Sequence, residues 1–342
     1  MDAKYIFPGK IILGQPQGEI KRSYDEYLDL PVDQELLDEN DGFSANQTTL
    51  GKEFSVTGSG TFLGKAQRTL TFMPCSEPGW WFDRTDLSNM MPIGVSVKSV
   101  WTTQRNIVLC TGSPHNYMRM VEHIIALKLG LGLDNVMIKV DSGDPPLFDR
   151  SSLGMVEQVE QAGIVPTNKQ AAYVTVKEPV TAIGPYGSFV TLIPAEKGSK
   201  SLFVDCAVNF KTAIGKQRIR FYNGQKSFKH GSFARTNTSL WTMMYVKTIG
   251  RIFADVRHLG YTMKNILVAG PHHYINKPGL VHNGKSLEAC WHRATLDLLA
   301  AIALIDTGRF CGTILSYKAG HTLDVDLVRE LYKRDLLEQV EK

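Results

Sequence analysis

The alternation of apolar and polar residues changes along the chain. From residue 47 onward, short segments alternate with a period of two, which is typical of half-buried strands, whereas residues 1–46 show little periodicity. In the first half, strands are predicted at residues 54–58, 68–73, 94–97, 106–109 and 135–140, and helices at 113–128 and 153–162. Ser113 and Pro114 are suited to the N-cap and first position of the earlier helix.

The second half repeats this plan. Strands are predicted at residues 172–176, 188–193, 202–210, 217–221, 266–269 and 313–317, and helices at 240–258, 287–305 and 323–339. Runs of strands followed by helices, twice over, indicate an α+β fold rather than a doubly wound parallel sheet. No glycine-rich phosphate loop follows a first strand, so a Rossmann-type nucleotide domain is not expected.

Composition narrows the class of protein. The 342 residues are 43% hydrophobic and 21% charged, as in ordinary globular proteins. The net charge of +4 suits an anionic small substrate, but it is too small and too evenly spread to indicate nucleic acid. We therefore expect a small-molecule partner, while the oligomeric state stays open.

The cysteines bear on the compartment. They are odd in number and far apart, which favours buried, reduced thiols: Cys75, Cys110, Cys206, Cys290 and Cys311. The first residues form no apolar signal segment, and no stretch reaches the ~18 apolar residues of a membrane span. The sequence thus predicts a cytoplasmic protein without a transmembrane segment.

Glu122 and His123 form the first of three histidine-bearing stretches. They fall in the middle of the predicted helix, at the margin of its apolar face. In isolation such a pair is most often a hydrogen-bonded histidine beside a solvated glutamate. In a hydrolase, the imidazole would bind a metal ion and the carboxylate would take a proton from water.

The second stretch lies in a helix that is apolar almost all round. It contains His292, Arg293 and Asp297. A buried carboxylate needs a partner. Asp297 therefore either pairs with a basic group such as Arg293 or shares a divalent cation with His292.

The third stretch ends in His321, which follows a strand and a glycine where a helix begins. Functional residues favour such junctions, although a simple turn histidine fits equally well. Together the three stretches offer the ligands, base and acid of a metal-assisted hydrolase.

Seven short motifs, in order and with similar spacing, resemble the UDP-3-O-acyl-N-acetylglucosamine deacetylases, the zinc amidases of lipid A biosynthesis. The resemblance covers residues 47 to about 335. The motifs are Gln-Thr-Thr-Leu (47–50), Phe-Asp-Arg-Thr-Asp-Leu (82–87), Met-Val-Glu-His (120–123), Gly-Leu-Gly-Leu-Asp-Asn (130–135), Pro-Leu-Phe-Asp-Arg-Ser (146–151), Ala-Arg-Thr (234–236) and Tyr-Lys-Ala-Gly-His (317–321).

The resemblance implies two similar domains of a β-sheet and two helices, packed into a β-α-α-β sandwich. These would be residues 47–165 and 166–342, with an N-terminal extension over 1–46 and an insert around 237–279. It further implies Zn²⁺ held at the junction by His123, His292 and Asp297. Glu122 would be the general base, His321 the acid, and Thr236 a support for the oxyanion; Arg293, in place of the family's lysine, completes the candidate catalytic groups.

Five features depart from the family. The family spaces its ligand histidine and aspartate four residues apart, whereas Asp297 is five residues after His292 and position 296 is leucine. Ala301 occupies the position of the aspartate that supports the catalytic histidine, and Phe62 that of another family histidine. Arg293 replaces lysine, and the insert over 237–278 lacks the family's Gly-Gly-Ser pattern.

The spacing gives two alternatives. Residues four apart on a helix lie about 40° from each other, and residues five apart about 140°. Either a π-bulge absorbs the extra residue before Asp297, or the third ligand is lost.

The leading hypothesis is zinc-dependent hydrolysis of the N-acetyl group of an amino-sugar conjugate, with UDP-3-O-acyl-N-acetylglucosamine as the candidate UDP-linked substrate. The alternatives are a catalytically impaired paralogue that binds a sugar nucleotide or a protein, and a related reaction in a specialised pathway. A regular helix with Asp297 pointing away would favour the impaired paralogue.

Overall fold

The computed structural model describes residues 9–14, 18–38, 42–240 and 260–340, and the predicted helix at 240–258 falls almost entirely outside them. The fold is mixed, with several sheets and few helices. The helices are α1 (Gly18–Asp29), α2 (Glu122–Gly130), α3 (Leu153–Ala162), α4 (Gln225–Gly231), α5 in three successive segments (Glu288–His292, Arg293–Leu298 and Leu299–Ile302) and α6 (His321–Lys333). Nowhere in these ranges is a helix long and apolar enough to cross a membrane.

The strands fall into a six-stranded sheet, a seven-stranded sheet and smaller ribbons. Up to residue 150 they are β1 (Lys10–Leu13), β2 (Gln34–Leu36), β3 (Asn46–Leu50), β4 (Phe54–Gly60), β5 (Gln67–Pro74), β6 (Trp80–Arg84), β7 (Ile93–Gly94), β8 (Val100–Thr102), β9 (Val108–Cys110), β10 (Tyr117–Arg119), β11 (Val136–Val140) and β12 (Pro146–Leu147). The later ones are β13 (Ile164–Gln170), β14 (Tyr173–Val176), β15 (Val180–Ile183), β16 (Phe189–Ile193), β17 (Leu202–Asn209), β18 (Lys216–Tyr222), β19 (Thr236–Ser239), β20 (Ile266–Ala269), β21 (Val281–His282), β22 (Lys285–Ser286), β23 (Arg309–Phe310), β24 (Gly312–Tyr317) and β25 (Leu337–Gln339).

The six-stranded sheet has the order β12-β4-β5-β11-β6-β7. Its strands alternate as predicted, because one face packs on the core and the other meets water. Phe72 and Ile138 are fully buried. On the opposite face, Ser55 pairs with Thr71 at 2.8 Å between hydroxyls.

The seven-stranded sheet has the order β1-β15-β16-β24-β17-β18-β2. Its central strands are mostly apolar on both faces, and every residue of β16 is buried. Strands buried on both faces are expected to be nearly continuous apolar runs.

Residues 10–14 and 18–36, which we call the N-terminal arm, cover the outer face of the seven-stranded sheet. Strand β1 pairs in parallel with β15 at one edge, and β2 pairs in parallel with β18 at the other. Between them α1 crosses the sheet and buries Tyr24 and Tyr27 against Phe189 and Tyr317. The arm therefore closes both edges and one face of the sheet.

One hydrophobic core joins the two large sheets and the helices. It includes Phe72 of the six-stranded sheet, Leu127 of α2, Leu299 of α5 and Val204 of the seven-stranded sheet. Lys128 donates hydrogen bonds from Nζ to the carbonyls of residues 303 and 305, at 2.7 and 3.1 Å. This caps the end of α5 and ties it to α2.

Several sequence predictions need correction. The helix predicted from Ser113 begins only at Glu122, because residues 108–119 form the antiparallel hairpin β9–β10. Ser113 accepts a backbone hydrogen bond from Asn116 within that turn and caps no helix. Of the strand predicted at 94–97, only Gly94 lies in a strand, at the end of β7, and Val97 begins a 3₁₀ turn at Val97–Ser99. The last helix ends at Lys333 rather than at 339.

The predicted strands of the second half match within one residue, the helix predicted at 287–305 ends at Ile302, and α3 matches at both ends. All five cysteines are free; Cys206, Cys290 and Cys311 are buried as predicted, whereas Cys75 and Cys110 are half-buried.

Candidate active site

Glu122 and His123 occupy the first turn of α2. The predicted mid-helix placement is therefore wrong. Met120, just before the helix, has a left-handed backbone with φ of 53°. Such a conformation is uncommon for a residue other than glycine and clusters at functional sites. It turns the chain out of the β9–β10 hairpin and directs the first turn of α2 toward α5.

His123 and His292 meet at the junction of α2 and α5. Their Nε2 atoms lie 3.1 Å apart. Burial and, to a smaller extent, repulsion from His292 lower the pKa of His123 to about 3. His123 is therefore neutral at physiological pH, with a ring nitrogen able to bind a cation.

Two consecutive serines hold His123. Ser151 Oγ lies 3.2 Å from the ring nitrogen Nδ1, and Ser152 Oγ donates to the backbone carbonyl of His123 at 2.7 Å. Ser151 also has a left-handed backbone, with φ of 51°. If the Nδ1 proton is donated to Ser151, the Nε2 lone pair faces His292, as in histidines that bind metals.

Glu122 is buried beside this pair. Its Oε1 accepts a hydrogen bond from the backbone N–H of Ile107. Burial and, to a smaller extent, repulsion from Asp297 raise the pKa of Glu122 to about 8. Glu122 is thus a carboxyl group with a strong affinity for a proton, one residue before His123.

The helix around Asp297 is not regular. Residues Arg293–Leu298 form a π-helical segment, so the π-bulge alternative is confirmed. Leu296 is fully buried in the core. Asp297 Oδ2 lies 3.7 Å from His292 Nδ1. Burial alone would raise the pKa of Asp297. Its interactions with nearby basic groups, chiefly His292, outweigh burial and hold the pKa at about 2, so the carboxylate is ionised.

The two imidazoles fit a metal ion. Two nitrogens bound to tetrahedral zinc at about 2.0–2.1 Å would lie roughly 3.3 Å apart, close to the separation of the His123 and His292 nitrogens. Asp297 contacts the other ring nitrogen of His292. Within the described part of the chain, no three histidine, cysteine or carboxylate side chains already stand in metal-binding geometry.

Thr236 completes the cluster. Its hydroxyl lies 3.2 Å from His292 Nε2 and 3.5 Å from His123 Nε2. The preceding residue, Arg235, is held by Glu288, which is fully buried; Arg235 Nε donates to Oε1 at 2.7 Å and a terminal nitrogen donates to Oε2 at 3.0 Å. This buried pair fixes the start of β19 against α5.

Arg293 does not face the imidazoles. It donates from Nε to the carbonyl of Ala319 at 2.8 Å, and from a terminal nitrogen to Ser316 Oγ at 3.2 Å and Asp324 Oδ1 at 2.6 Å. The predicted alternative pairing of Arg293 with Asp297 is replaced by a pairing with Asp324. Arg293 thereby joins α5 to strand β24 and helix α6, on either side of His321.

His321 is the first residue of α6, not a residue before it. Its Nε2 lies 3.1 Å from the carbonyl oxygen of Thr103, to which Thr322 Oγ1 also donates at 3.1 Å. Ala301, where the family has its supporting aspartate, is fully buried. A backbone carbonyl thus holds the ring instead, and His321 is near enough to Asp297 to help lower its pKa.

Phe62 lies in a turn that adjoins the insert. The Arg119 guanidinium stacks on the Phe62 ring at 3.5 Å from its centroid. Strands β19 and β20, which belong to the insert, pair in parallel. The Gly260 N–H donates to the carbonyl of Thr61 at 2.9 Å, so this part of the insert adjoins the Phe62 turn.

The structure brings together five of the predicted site residues: His123, His292, Thr236, Asp297 and Glu122. His321 lies at the margin of this cluster, and the Arg293 side chain points away from it, toward β24 and α6. Sequence reasoning missed the roles of Ser151, Glu288 and Asp324. Ser151 ends one of the quoted motifs, and that was the available signal; Glu288 and Asp324 gave none, because their partners are distant in the chain.

The comparisons with known proteins agree with this geometry. A family model described as UDP-3-O-acyl N-acetylglycosamine deacetylase matches residues 47–333. The UDP-3-O-acyl-N-acetylglucosamine deacetylase of Wolinella succinogenes is 29% identical over 292 residues, covering 84% of this chain and 91% of that protein. Those of Geobacter sp. (strain M21) and Brucella ovis are 27% and 26% identical, each over 84% of this chain and over 89% and 96% of the relative. The chain belongs to the UDP-3-O-acyl N-acetylglycosamine deacetylase family.

Proposed function

We propose that this protein is a zinc-dependent amide hydrolase that removes the N-acetyl group of an amino-sugar conjugate. The names of its relatives make UDP-3-O-acyl-N-acetylglucosamine the first substrate to test. The observation that carries the proposal is the approach of two imidazole nitrogens, from His123 and His292, to 3.1 Å beside a buried glutamate.

The proposed architecture is the β-α-α-β sandwich of the family. The six-stranded sheet with α2 and α3 would belong to a domain at residues 47–165. The seven-stranded sheet with α5 and α6 would belong to a domain at 166–342 that carries the insert around 237–279. The shared core of α2 and α5 supports this assignment.

Zinc would be held by His123, His292 and Asp297. Neutral imidazoles and an ionised carboxylate are a donor set that this ion prefers. When bound, zinc polarises an amide carbonyl and lowers the pKa of water to about 7. The π-helical segment supports Asp297 as the third ligand, because it compensates for the extra residue in the helix.

The protein's own groups would carry the proton transfers. Glu122 takes a proton as water forms a bond to the amide carbon, and the Thr236 hydroxyl is placed to donate to the oxyanion. His321 gives a proton to the nitrogen as the carbon–nitrogen bond breaks. The products are acetate and the free amine.

Arg293 would act indirectly. Its contacts with Ser316, Ala319 and Asp324 surround the segment that carries His321. We assign it the task of holding the proposed acid at a fixed distance from α5, rather than contact with the reacting atoms.

The proposed partner is a small UDP-sugar or amino-sugar substrate, and no nucleic acid. A cytoplasmic location is proposed as well. It is supported by the five free cysteines, since a reducing compartment maintains thiols.

The test is acetate release by purified, zinc-supplemented protein. We expect release from UDP-3-O-acyl-N-acetylglucosamine, and a loss of at least a hundredfold in Glu122→Gln, because the substitution removes the base. The matched control is Glu160→Gln, on the exposed side of α3, which should retain wild-type activity. Unchanged hydrolysis in Glu122→Gln would disprove the proposed mechanism.

A second substrate separates the reaction from its specificity. UDP-N-acetylglucosamine lacks the acyl chain. Equal turnover of both compounds would show that the enzyme does not recognise the acyl chain. If zinc is bound and neither compound is hydrolysed, a different reaction on this scaffold would be favoured.

A further inference from the structure

The N-terminal arm contacts the segment that carries His321. This segment is the His321 loop, which we define as residues 318–320 between β24 and α6. Glu26 of α1 accepts from Lys318 Nζ at 2.8 Å through Oε2. The family match begins at residue 47, so Glu26 lies outside the region shared with the deacetylases.

Glu26 is held in place from several sides. Its Oε1 lies 2.8 Å from Lys216 Nζ and 3.1 Å from Asn209 Nδ2. Asn209 Nδ2 also lies 3.3 Å from the Tyr317 hydroxyl. The carboxylate therefore joins strands β17, β18 and β24 at the point where the His321 loop begins.

Helix α1 provides a firm base for this contact. Tyr27 packs on Tyr317 with ring centroids 5.9 Å apart. Arg218, which is almost fully buried, donates to the carbonyls of Tyr27 and Leu30 at 2.8 and 3.0 Å. It thereby caps the end of α1, and its ion pair with Asp205 fixes the guanidinium in turn.

The His321 loop needs such support. Lys318 has a left-handed backbone with φ of 54°. That conformation is unfavourable for a residue with a side chain and persists only where its surroundings enforce it. Arg293 holds the Ala319 carbonyl from the core side, and the Lys318 N–H donates to Ala207 at 3.2 Å. Glu26 holds the Lys318 amine from the outer side.

We propose that Glu26 is a positioning residue for the deacetylation reaction, which holds the His321 loop in place through Lys318 and makes the N-terminal arm part of the catalytic unit. This inference rests on the proposed function, specifically on His321 as the proton donor.

The test compares Glu26→Ala with Asp25→Ala. Asp25 is the preceding residue on α1 and is exposed, so its substitution removes the same charge without touching the loop. For Glu26→Ala we expect kcat to fall on the order of tenfold with KM within twofold of wild type, since a small displacement of a catalytic group has this effect. Asp25→Ala should match wild type.

A double-mutant cycle distinguishes positioning from general loss of structure. Lys318→Ala should lower kcat as much as Glu26→Ala, and the double variant should be no worse than either. Glu26→Gln keeps a hydrogen-bond acceptor and should recover part of kcat. An effect on KM alone, or a kcat for Glu26→Ala within twofold of Asp25→Ala, would overturn the proposal.

Hydrogen exchange provides a readout that does not depend on activity. Amide exchange at residues 318–321 should be faster in Glu26→Ala than in Asp25→Ala, with α5 unchanged. If the wild-type protein releases no acetate, the proposed function fails. Equal amide exchange at residues 318–321 in Glu26→Ala and Asp25→Ala would refute the positioning role, whatever the activity of the wild type.

Discussion

The outer faces of the two large sheets differ. On the six-stranded sheet, Ser55 and Thr57 face water and pair with the hydroxyls of Thr71 and Thr69. On the seven-stranded sheet the corresponding surface is apolar and aromatic, and α1 covers it. The outer face of the six-stranded sheet can meet water because it is polar, whereas the seven-stranded sheet buries its apolar outer face under the arm.

The two halves also hold their histidines differently. A serine hydroxyl contacts His123 at Nδ1, whereas the Asp297 carboxylate lies beside Nδ1 of His292. The seven-stranded half further supports the segment leading to His321 from both sides, through Arg293 and Glu26. The site is therefore reinforced unequally, and most strongly on the side that the arm covers.

The largest expected effect distinguishes the two outer faces. Phe189→Ala removes a fully buried ring beneath α1 and should lower the free energy of unfolding by about 3–5 kcal/mol. Thr57→Ala on the exposed face should change it by less than about 0.5 kcal/mol. Denaturant unfolding measures both. Similar losses would remove the distinction between the faces.

The next effect concerns Arg218 beneath the arm. Arg218→Met leaves Asp205 with Arg220 as its remaining cation and leaves α1 uncapped, so we expect a loss of about 3 kcal/mol. Arg22→Met, on the exposed side of α1, is the control and should be near neutral. A loss below about 1 kcal/mol for Arg218→Met would contradict a structural role for the cap.

A smaller effect distinguishes the ways in which His123 is held. Ser151→Ala removes the partner of the ring nitrogen and should weaken zinc binding about 10- to 100-fold in a chelator competition. Ser152→Ala removes a bond to the backbone carbonyl of the same histidine. It should lower stability and leave zinc affinity within about threefold. The reverse ranking would show that Ser151 does not orient the ring.

The smallest effect is the pH dependence of the arm. Burial would raise the pKa of Glu26, but Lys216 and Lys318 hold it at about 2, below its ordinary 4.5. Its contribution to stability is therefore complete above pH ~4.5 and disappears as the pH falls toward 2. Wild type should exceed Glu26→Gln by about 1 kcal/mol or less at pH 7. A difference that grows on acidification would contradict this assignment.

Local pattern predicted much of the sheet structure. Strands β16 and β17 could be predicted because a mostly apolar run indicates burial on both faces. The start of α2 was not, since the Ser113–Pro114 signal for a helix competes with a hairpin whose partner strand ends at Cys110. The places of β1 and β2 could not be predicted either, because β1 pairs in parallel with β15 and β2 with β18. Both partners are more than 150 residues away in the chain.

The site was predictable to a similar extent. The histidines, Glu122 and Asp297 follow from motifs, and the extra residue before Asp297 limited its helix to two conformations, of which the π-helical one is present. The contacts of Ser151 and Glu26 could not be predicted from sequence. Each depends on where tertiary packing places a side chain; Ser151 ends a family motif, but that motif does not name His123 as its partner, and Glu26 has no motif at all.

The central claim is that His123, His292 and Asp297 bind a catalytic zinc ion. The most direct test is the metal content of the purified protein by mass spectrometry. We predict about one zinc per chain in the wild type, and strongly reduced zinc in His123→Ala and His292→Ala. Wild-type protein without stoichiometric zinc, or unchanged zinc in both histidine variants, would contradict the claim.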